Sequence, residues 1–308
     1  MKICILGAGA LGCAIGGLLT EAGHEVWLIN RNADQVEAMN HRGLILREGG
    51  VDRAVRVQAA VHAQAAGVVD LVVVLVKSFH TAQAMAAATS LLGPDTVVLS
   101  LQNGLGHEDV LADIVGRSRL LAGKTYVGGT QFGPGHVIIG TKGKDTHIGE
   151  LDGRLSDRVQ SVARAFNAAG LETFVSDNIV GTMWDKLLIN VATGALTGIT
   201  RLTYGQLYQH PELEACGVAA VAEAMAVAQA SGIRLSITYP REAWLKAGAG
   251  LPYEFKTSML QSLEKGSVTE IDYVNGSVVR LGAKLGIPTP VNQTLLACIK
   301  GLEPRAYS

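Results

Sequence analysis

A glycine-rich turn near the start of the chain constrains its fold more than any other sequence feature. Gly7, Gly9 and Gly12 stand between a short apolar run, Ile3 to Leu6, and an amphipathic run from about Ala10 to Ala22. In a βαβ unit the first glycine permits a tight turn, the second lets the backbone approach a pyrophosphate, and the third lets helix and strand pack closely. The spacing predicts a dinucleotide site, and a turn without a ligand is the alternative. The predicted cofactor-binding residues of this turn are Gly7, Gly9, Ala10, Leu11 and Gly12.

The rest of the chain divides into a β-rich part and a helical part. In the first part short apolar runs alternate with amphipathic ones, and Leu71 to Val76 is apolar on both faces of a predicted strand. We predict an α/β fold in which an N-terminal Rossmann-type dinucleotide-binding domain, residues 1–176, is followed by an all-helical C-terminal domain, residues 177–308.

Two further structural expectations concern particular segments. Glycines punctuate short β-prone pieces from Leu120 to Gly149, which predicts hairpins that close the edge of the sheet. Long helical periods follow later in the chain. The predicted helices run from about Ile179 to Ala195, from Glu212 to Ser231, and from Met259 to Leu285 with a break near Gly266.

Charge and composition exclude several classes of protein. Lys plus Arg number 26 and Asp plus Glu 27, so no global positive field exists to attract nucleic acid or an anionic membrane. The uncharged stretch from Ile3 to Thr20 is interrupted by glycines and followed by another strand-like run, unlike a signal peptide or a membrane span. Four cysteines are scattered singly without metal-ligand spacing. We expect a cytoplasmic protein with no metal site and no nucleic-acid or membrane partner.

The residues after the second predicted strand indicate which dinucleotide binds. An NAD site usually has Asp or Glu there, whereas this chain has Asn30, Arg31 and Asn32. A carboxylate would repel the 2′-phosphate of NADPH, and a guanidinium binds it in a charge-assisted pair. We therefore predict NADPH as the cofactor, with Arg31 as a ligand. The alternative is a solvated Arg31 with Asp34 in the acidic role.

Two further pairs of polar residues are candidates for the site, one at the edge of the sheet where ligands of open α/β folds bind and one on a helix face. Lys77 and Asn103 follow two predicted buried strands, at the carboxyl edge of the sheet. Lys186 and Asn190 are four residues apart and so lie on one helix face. Spacing alone leaves Asn103 open to a turn role and Lys186 open to a snorkelling surface role. Glu270 is also compatible with an ordinary charge at a helix N-terminus.

Taken together, these motifs resemble the ketopantoate reductase family over nearly the whole chain. Each motif is weak alone, but their order over some 280 residues makes the set specific. The matching residues are Gly7-x-Gly-x-x-Gly12, Arg31, Val76-Lys77-Ser78, Leu101-Gln102-Asn103-Gly104, Trp184-x-Lys186-Leu187-x-x-Asn190, Ser258-Met259-Leu260-Gln261, Thr269-Glu270-Ile271-Asp272-Tyr273-x-Asn275-Gly276 and Pro288-Thr289-Pro290-x-Asn292.

The resemblance implies NADPH-dependent reduction of 2-dehydropantoate to (R)-pantoate, on the route to pantothenate and coenzyme A. It places the family's catalytic lysine at Lys186, the general acid, and its active-site glutamate at Glu270. It places substrate-binding residues at Asn190 and Ser258, and it puts Asn103 at the nicotinamide end of the site. Lys77 matches a cofactor position. The implied partner is a small 2-oxo acid, and whether the chain forms a homodimer is left open.

Two departures from the family pattern bear on the substrate. Many members have a second Asn one turn after the first, where this chain has Gly194, and many have Asp where it has Ser262. A paralogous NADPH-dependent reductase of a different 2-oxo acid is therefore an alternative. Two others are a related two-domain dehydrogenase acting on a glycerol phosphate, a 3-hydroxy acid or an opine, and a non-catalytic NADP-binding regulator.

Overall fold

The computed structural model describes residues 1–304. Residues 305–308, the last four of the predicted second domain, lie outside the described residues. The chain forms two compact units: the first contains Met1–Gln102 and His107–Ile179, and the second contains Asn103–Gly106 and Val180 onward. The short segment that carries Asn103 thus groups with the second unit although its sequence neighbours belong to the first.

The first unit carries the strands and the first helices, and the second unit is helical. The strands are β1 (Lys2–Leu6), β2 (Glu25–Ile29), β3 (Leu44–Glu48), β4 (Val51–Val55), β5 (Gln58–Ala60), β6 (Val69–Val74), β7 (Leu92–Ser100), β8 (Leu120–Thr125), β9 (Gly128–Gly133), β10 (His136–Gly140), β11 (Thr146–Glu150) and β12 (Thr173–Val175). The α-helices are α1 (Ala10–Glu21), α2 (Ala33–Arg42), α3 (Thr81–Ala86), α4 (His107–Val115), α5 (Asp157–Ala168), α6 (Ile179–Thr200), α7 (Tyr204–Leu207), α8 (Pro211–Ala230), α9 (Pro240–Gly248), α10 (Ser258–Glu264), α11 (Asn275–Leu285) and α12 (Pro290–Leu302).

An eight-stranded sheet forms the centre of the first unit, in the order β12-β11-β8-β7-β6-β1-β2-β5. β1 pairs in parallel with β2 and β6, and β6 pairs in parallel with β7. Buried apolar side chains cover both faces of these strands: Leu71 and Val73 belong to one core, and Val72 and Val74 to another. This double burial explains the continuous apolar run and confirms the predicted α/β fold with a parallel sheet.

The glycine-rich region after residue 120 departs from its prediction. β8 and β11 join the main sheet as an antiparallel pair, but β9 and β10 do not close its edge. They form a second sheet in the order β4-β3-β10-β9. Two of its strands, β3 and β4, were not expected from the sequence. The second sheet can pack on α1 because a Cβ on Gly129 would lie 2.5 Å from the carbonyl oxygen of Ala10.

The second unit is built on long helices, and this confirms the predicted helical C-terminal part. α8 is long and apolar enough to cross a membrane by length and composition alone, but the core helices of soluble proteins pass the same test. It packs against α9, α11 and α12. A buried network joins it to α12: the Asn292 side chain donates to the Ala220 carbonyl and to Glu223, and it accepts from Asn275. Asn275 and Asn292, two residues of the family motifs, therefore stabilise the helix packing.

The helical stretch predicted from Met259 to Leu285 has the predicted break near Gly266, but the break is longer than expected. α10 ends at Glu264, and only a short 3-10 turn, Ile271–Tyr273, precedes α11. Glu270 therefore lies in a non-helical segment directly before that turn, and Ser258 is the first residue of α10. The assignment of residues 1–176 and 177–308 as functional domains stays a prediction.

Candidate active site

The glycine turn after β1 has a backbone that only glycine accommodates at two of its three positions. Gly7 has φ of +108°, and a Cβ there would lie 2.4 Å from the Val76 amide nitrogen. A Cβ on Gly12 would lie 2.3 Å from the Gly7 carbonyl oxygen. Gly9 differs, because it is exposed and a Cβ there would meet no atom within 4 Å. The space in front of Gly9 is open to a ligand.

The start of α1 presents an anion-binding surface beside this space. Gly9 is the N-cap and makes no side-chain cap, and the first turn carries no acidic residue. The first amides of a helix lack intrahelical acceptors and lie at the positive end of its dipole. Ala10 and Leu11, both half-buried, contribute their backbone to this turn. The geometry fits a pyrophosphate group.

Asn30, at the end of β2, holds the glycine turn in place. Its side-chain amide donates to the Ala8 carbonyl at 2.6 Å, and its carbonyl oxygen accepts from the Asn32 amide at 2.9 Å. Asn32 in turn caps α2 by accepting from the amides of Asp34 and Gln35. Asp34 thus lies in the first turn of α2, where a carboxylate suits the helix dipole. This positioning role of Asn30 was not predicted from the sequence.

Arg31, which follows β2, lies against His80, which follows β6. Arg31 Nη2 is 2.9 Å from His80 Nε2. Because a guanidinium only donates hydrogen bonds, the imidazole nitrogen accepts this one. Partial burial, and secondly the charge of Arg31, lower the pKa of His80. The loops after β2 and β6 therefore bring two basic side chains together.

The loops after β6 and β7 are tied to each other within the first unit. Lys77 is exposed, three residues beyond the end of β6. Gln102, two residues beyond β7, donates to the Val76 carbonyl at 2.9 Å and to the Thr81 hydroxyl at 2.8 Å. Lys77 follows β6 and Arg31 follows β2, the two strands on either side of β1. Both residues therefore lie at the carboxyl edge of the sheet, as predicted for a cofactor site.

The second unit contains a pocket that collects four of the predicted site residues, Asn103, Asn190, Ser258 and Glu270. Gly194 and Ser262, the two departures from the family pattern, also line it. Six further residues complete the wall: Thr193, Tyr204, Phe255, Thr257, Met259 and Val274.

Lys186 contacts one of these pocket residues. Its Nζ donates to Asn103 Oδ1 at 2.8 Å, and it shares a face of α6 with Asn190. Asn103 is held by its own loop, because Leu105 donates from its amide to the Tyr273 carbonyl at 3.0 Å. Gly104 makes this approach possible: its φ is +91°, and a Cβ there would lie 2.3 Å from the same carbonyl oxygen. An ammonium group is thus fixed beside a pocket that holds amide, hydroxyl and carboxylate side chains.

The far wall of the pocket is less polar than its residue names suggest. The Tyr204 hydroxyl pairs with Thr193 at 2.9 Å, and burial raises the pKa of Tyr204, so this hydroxyl stays protonated. The Thr257 hydroxyl pairs with Thr197 at 2.6 Å. The rings of Tyr204 and Phe255 lie 5.3 Å apart, and a Cβ on Gly194 would meet no atom within 4 Å. This part of the wall combines two aromatic rings and open space with hydroxyls that already have a hydrogen-bond partner.

These wall residues were not predicted from the sequence, although one of them could have been. Thr193 is one turn after Asn190 on α6, so helical spacing could have identified it. Tyr204 and Phe255 come from separate segments with no motif to join them. Among the described residues 1–304, no group of three or more His, Cys, Asp or Glu side chains could hold a metal ion.

Comparisons with known proteins agree along the whole chain. The family model described as "Ketopantoate reductase PanE/ApbA" matches residues 3–153, and that of the "Ketopantoate reductase PanE/ApbA C terminal" matches residues 178–303. The 2-dehydropantoate 2-reductases of Pyrococcus horikoshii and Archaeoglobus fulgidus are 34% and 33% identical to it, each over 98% of both chains.

Solved structures lead to the same group. A PanE/ApbA family ketopantoate reductase from Ralstonia eutropha is 36% identical, with a TM-score of 0.89 over 98% of both chains. D-mandelate dehydrogenase, in a ternary structure with NADH and anilino(oxo)acetate, is 28% identical, with a TM-score of 0.91 over 98% of both chains. The two family models and the full-length relatives show that this chain belongs to the ketopantoate reductase family.

Proposed function

We propose that this protein reduces 2-dehydropantoate to (R)-pantoate with NADPH. The observation that carries the proposal is the contact of Lys186 Nζ with Asn103 Oδ1 beside a pocket lined by Asn190, Ser258 and Glu270. Together, Lys186 and the pocket residues Asn190, Ser258 and Glu270 supply a cation, two neutral hydrogen-bonding side chains and a carboxylate to bind a small acid that has a ketone. The full-length relatives named 2-dehydropantoate 2-reductase support the choice of substrate.

The glycine turn and Arg31 fit the proposed cofactor. The open space before Gly9 and the start of α1 suit the pyrophosphate, and Arg31 and Lys77 suit the 2′-phosphate end. When bound, NADPH supplies the hydride that turns the C2 ketone into an alkoxide.

Lys186 meets the demand for charge and a proton at the C2 oxygen. An ammonium group has three N–H donors, and Asn103 Oδ1 accepts one, which limits the rotation of the side chain. A fixed cation stabilises negative charge that develops on the substrate oxygen, and it can donate the proton that completes the alcohol.

The other pocket residues orient the acid. We assign Asn190 and Ser258 to binding the carboxylate and the hydroxyl of the substrate, and Glu270 to polarising the lysine; the presence of all three on the pocket wall supports these roles. Each assignment follows from its position on the pocket wall and from the family match. A hydrogen-bonded acid with one orientation presents one face of its ketone, which is the condition for a single stereoisomer of the product.

The test is NADPH oxidation against a panel of 2-oxo acids. We expect 2-dehydropantoate to have the highest kcat/KM, and 2-oxo acids without its 4-hydroxyl to be poorer. Equal or better turnover of such acids would refute the substrate while leaving the reductase class intact. Tight NADPH binding without oxidation by any 2-oxo acid would instead favour a non-catalytic NADP-binding protein.

A second candidate substrate is a 2-oxo acid with an apolar or aromatic side chain. Gly194 leaves open space in the pocket, and the hydroxyls of Tyr204 and Thr257 are paired with other residues. The structural neighbour D-mandelate dehydrogenase, bound to anilino(oxo)acetate, supports this alternative. Phenylglyoxylate tests it directly, because a higher kcat/KM than for 2-dehydropantoate would select the aromatic class.

The wider assignments are part of the same proposal. Residues 1–176 bind NADPH, and residues 177–308 bind the 2-oxo acid, apart from Asn103. The cysteines Cys4, Cys13, Cys216 and Cys298 are free thiols, which suits the reducing cytoplasm as the location. Light scattering of the purified chain would test whether it forms a homodimer.

A further inference from the structure

Arg31 and His80 form a pair of basic side chains without an acidic partner. Arg31 Nη2 is 2.9 Å from His80 Nε2, and within residues 1–304 Arg31 makes no ion pair with a carboxylate. A charged imidazole would repel the guanidinium, so the charge of Arg31 disfavours protonation of His80. The contact is stable while His80 is neutral and its Nε2 accepts the hydrogen bond.

The surroundings hold His80 in this state. The Phe79 ring lies edge-on to the imidazole, with centroids 4.6 Å apart. The charged groups on its own loop, on the loop after β2 and in the first turn of α2 are Lys77, Arg31 and Asp34. Asp34 is exposed and pairs with neither basic group of the contact. The titratable His107 of α4 lies 3.5 Å from Ser78 Oγ.

An arriving anion would change the balance between the two protonation states. A phosphate monoester carries about −1.5 to −2 charge at neutral pH, and it accepts hydrogen bonds from several donors at once. A protonated His80 and Arg31 can then both donate to phosphate oxygens, and the attraction of each to the phosphate offsets their repulsion. The proton comes from the solvent and attaches to Nε2, the atom that accepts from Arg31 in the free protein.

We propose that His80 is a ligand of the 2′-phosphate of NADPH beside Arg31, and that it takes up a proton when this phosphate binds. The inference rests on the proposed use of NADPH. NADH has no 2′-phosphate, so its binding does not protonate His80. The chain would therefore favour NADPH over NADH more strongly at low pH than at high pH.

Isothermal titration calorimetry tests the proposal through the protons exchanged with the buffer. NADPH and NADH are titrated at pH 7.5 in two buffers of different ionisation enthalpy, with wild-type protein, His80→Gln and the control His41→Gln. His41 is an exposed histidine on α2. At this pH the free 2′-phosphate, whose second pKa is about 6, is mostly dianionic and contributes little.

We expect the wild type and His41→Gln to take up a substantial fraction of one proton with NADPH and almost none with NADH. His80→Gln should take up almost none with either, and its Kd for NADPH at pH 6 should rise by roughly tenfold, as for one lost charge-assisted hydrogen bond. Equal uptake by the wild type and His80→Gln would overturn the inference.

The same data separate this inference from the proposed function. Proton uptake that depends on His80, in a protein that reduces no 2-oxo acid, would refute the proposed reaction and keep the role of His80. Failure of NADPH to bind the wild type at pH 6 and at pH 7.5 would refute both.

Discussion

Glu108, in the first turn of α4, makes the stability of the first unit depend on pH. The side chain is buried at 9% exposure, and its Oε1 has no hydrogen-bond partner among the described residues. Burial of the carboxyl raises the pKa of Glu108 from 4.5 to about 7.

The size of the effect follows from the difference in pKa. In the unfolded chain Glu108 releases its proton near pH 4.5, whereas in the folded protein it releases it near pH 7. Between these values the unfolded state binds fewer protons, so stability falls as pH rises through this window. At 1.36 kcal/mol per pKa unit, the loss amounts to about 3 kcal/mol above pH 7. Below pH 4.5 both states are protonated, and this loss is absent.

Glu108→Gln removes the ionisation and keeps the shape of the side chain. We expect the variant and the wild type to have similar melting temperatures at pH 4.5. At pH 8 the variant should melt roughly 6 to 12 °C higher, the shift that ~3 kcal/mol produces in a unit of this size. Circular dichroism melts at a series of pH values measure the difference.

The control for this experiment is an acidic residue of the same helix that is exposed. Asp113→Asn on α4 should give a melting-temperature difference that hardly changes with pH. If Glu108→Gln behaves in the same way, with a difference that is constant from pH 4.5 to pH 8, the carboxyl ionises normally in the folded protein. The account of its burial would then be wrong.

Three further predictions concern the candidate site. Lys186→Ala should lower kcat about a hundredfold or more with NADPH affinity nearly unchanged, and Glu270→Ala should lower kcat by less. Steady-state kinetics measure kcat, and fluorescence titration measures NADPH affinity. Loss of cofactor binding in Lys186→Ala with kcat intact would refute the role of Lys186 as general acid. Arg31→Ala should remove a preference of about tenfold or more in KM for NADPH over NADH, and an unchanged ratio of KM values would refute its role. Gly194→Asn should raise the ratio of kcat/KM for 2-dehydropantoate to that for phenylglyoxylate by roughly fivefold, since a new hydrogen bond contributes about 1 kcal/mol, and a fall in this ratio would refute our description of the pocket.

Much of the first unit could be predicted from local sequence. At Gly7 and Gly12 the turn needs a backbone conformation or a close backbone approach that a Cβ would prevent, so the glycines in the sequence predict it directly. The buried strand β6 shows as a continuous apolar run because both of its faces are covered. Arg31 could be placed at the end of β2 because strand and turn are adjacent in the chain.

Other features depended on contacts between segments that are distant in sequence. The second sheet was missed because the pairing of β3 with β10 joins residues some ninety positions apart. The break near Gly266 was predicted, but not its length, which leaves Glu270 outside any α-helix, because a segment's helical pattern does not reveal how far tertiary contacts interrupt it.

For the site, the sequence by itself determined the kinds of chemical group that are present, through the order of short motifs. Only the tertiary structure decided that Lys186 donates to Asn103, that Arg31 meets His80, and that Tyr204 uses its hydroxyl on Thr193. Hydrogen bonds act over about 3 Å, and a motif records residue types without recording which distant side chains approach to that distance. The packing of helices and strands sets these approaches, and with them the lowered pKa of His80 and the pairing of hydroxyls in the pocket wall.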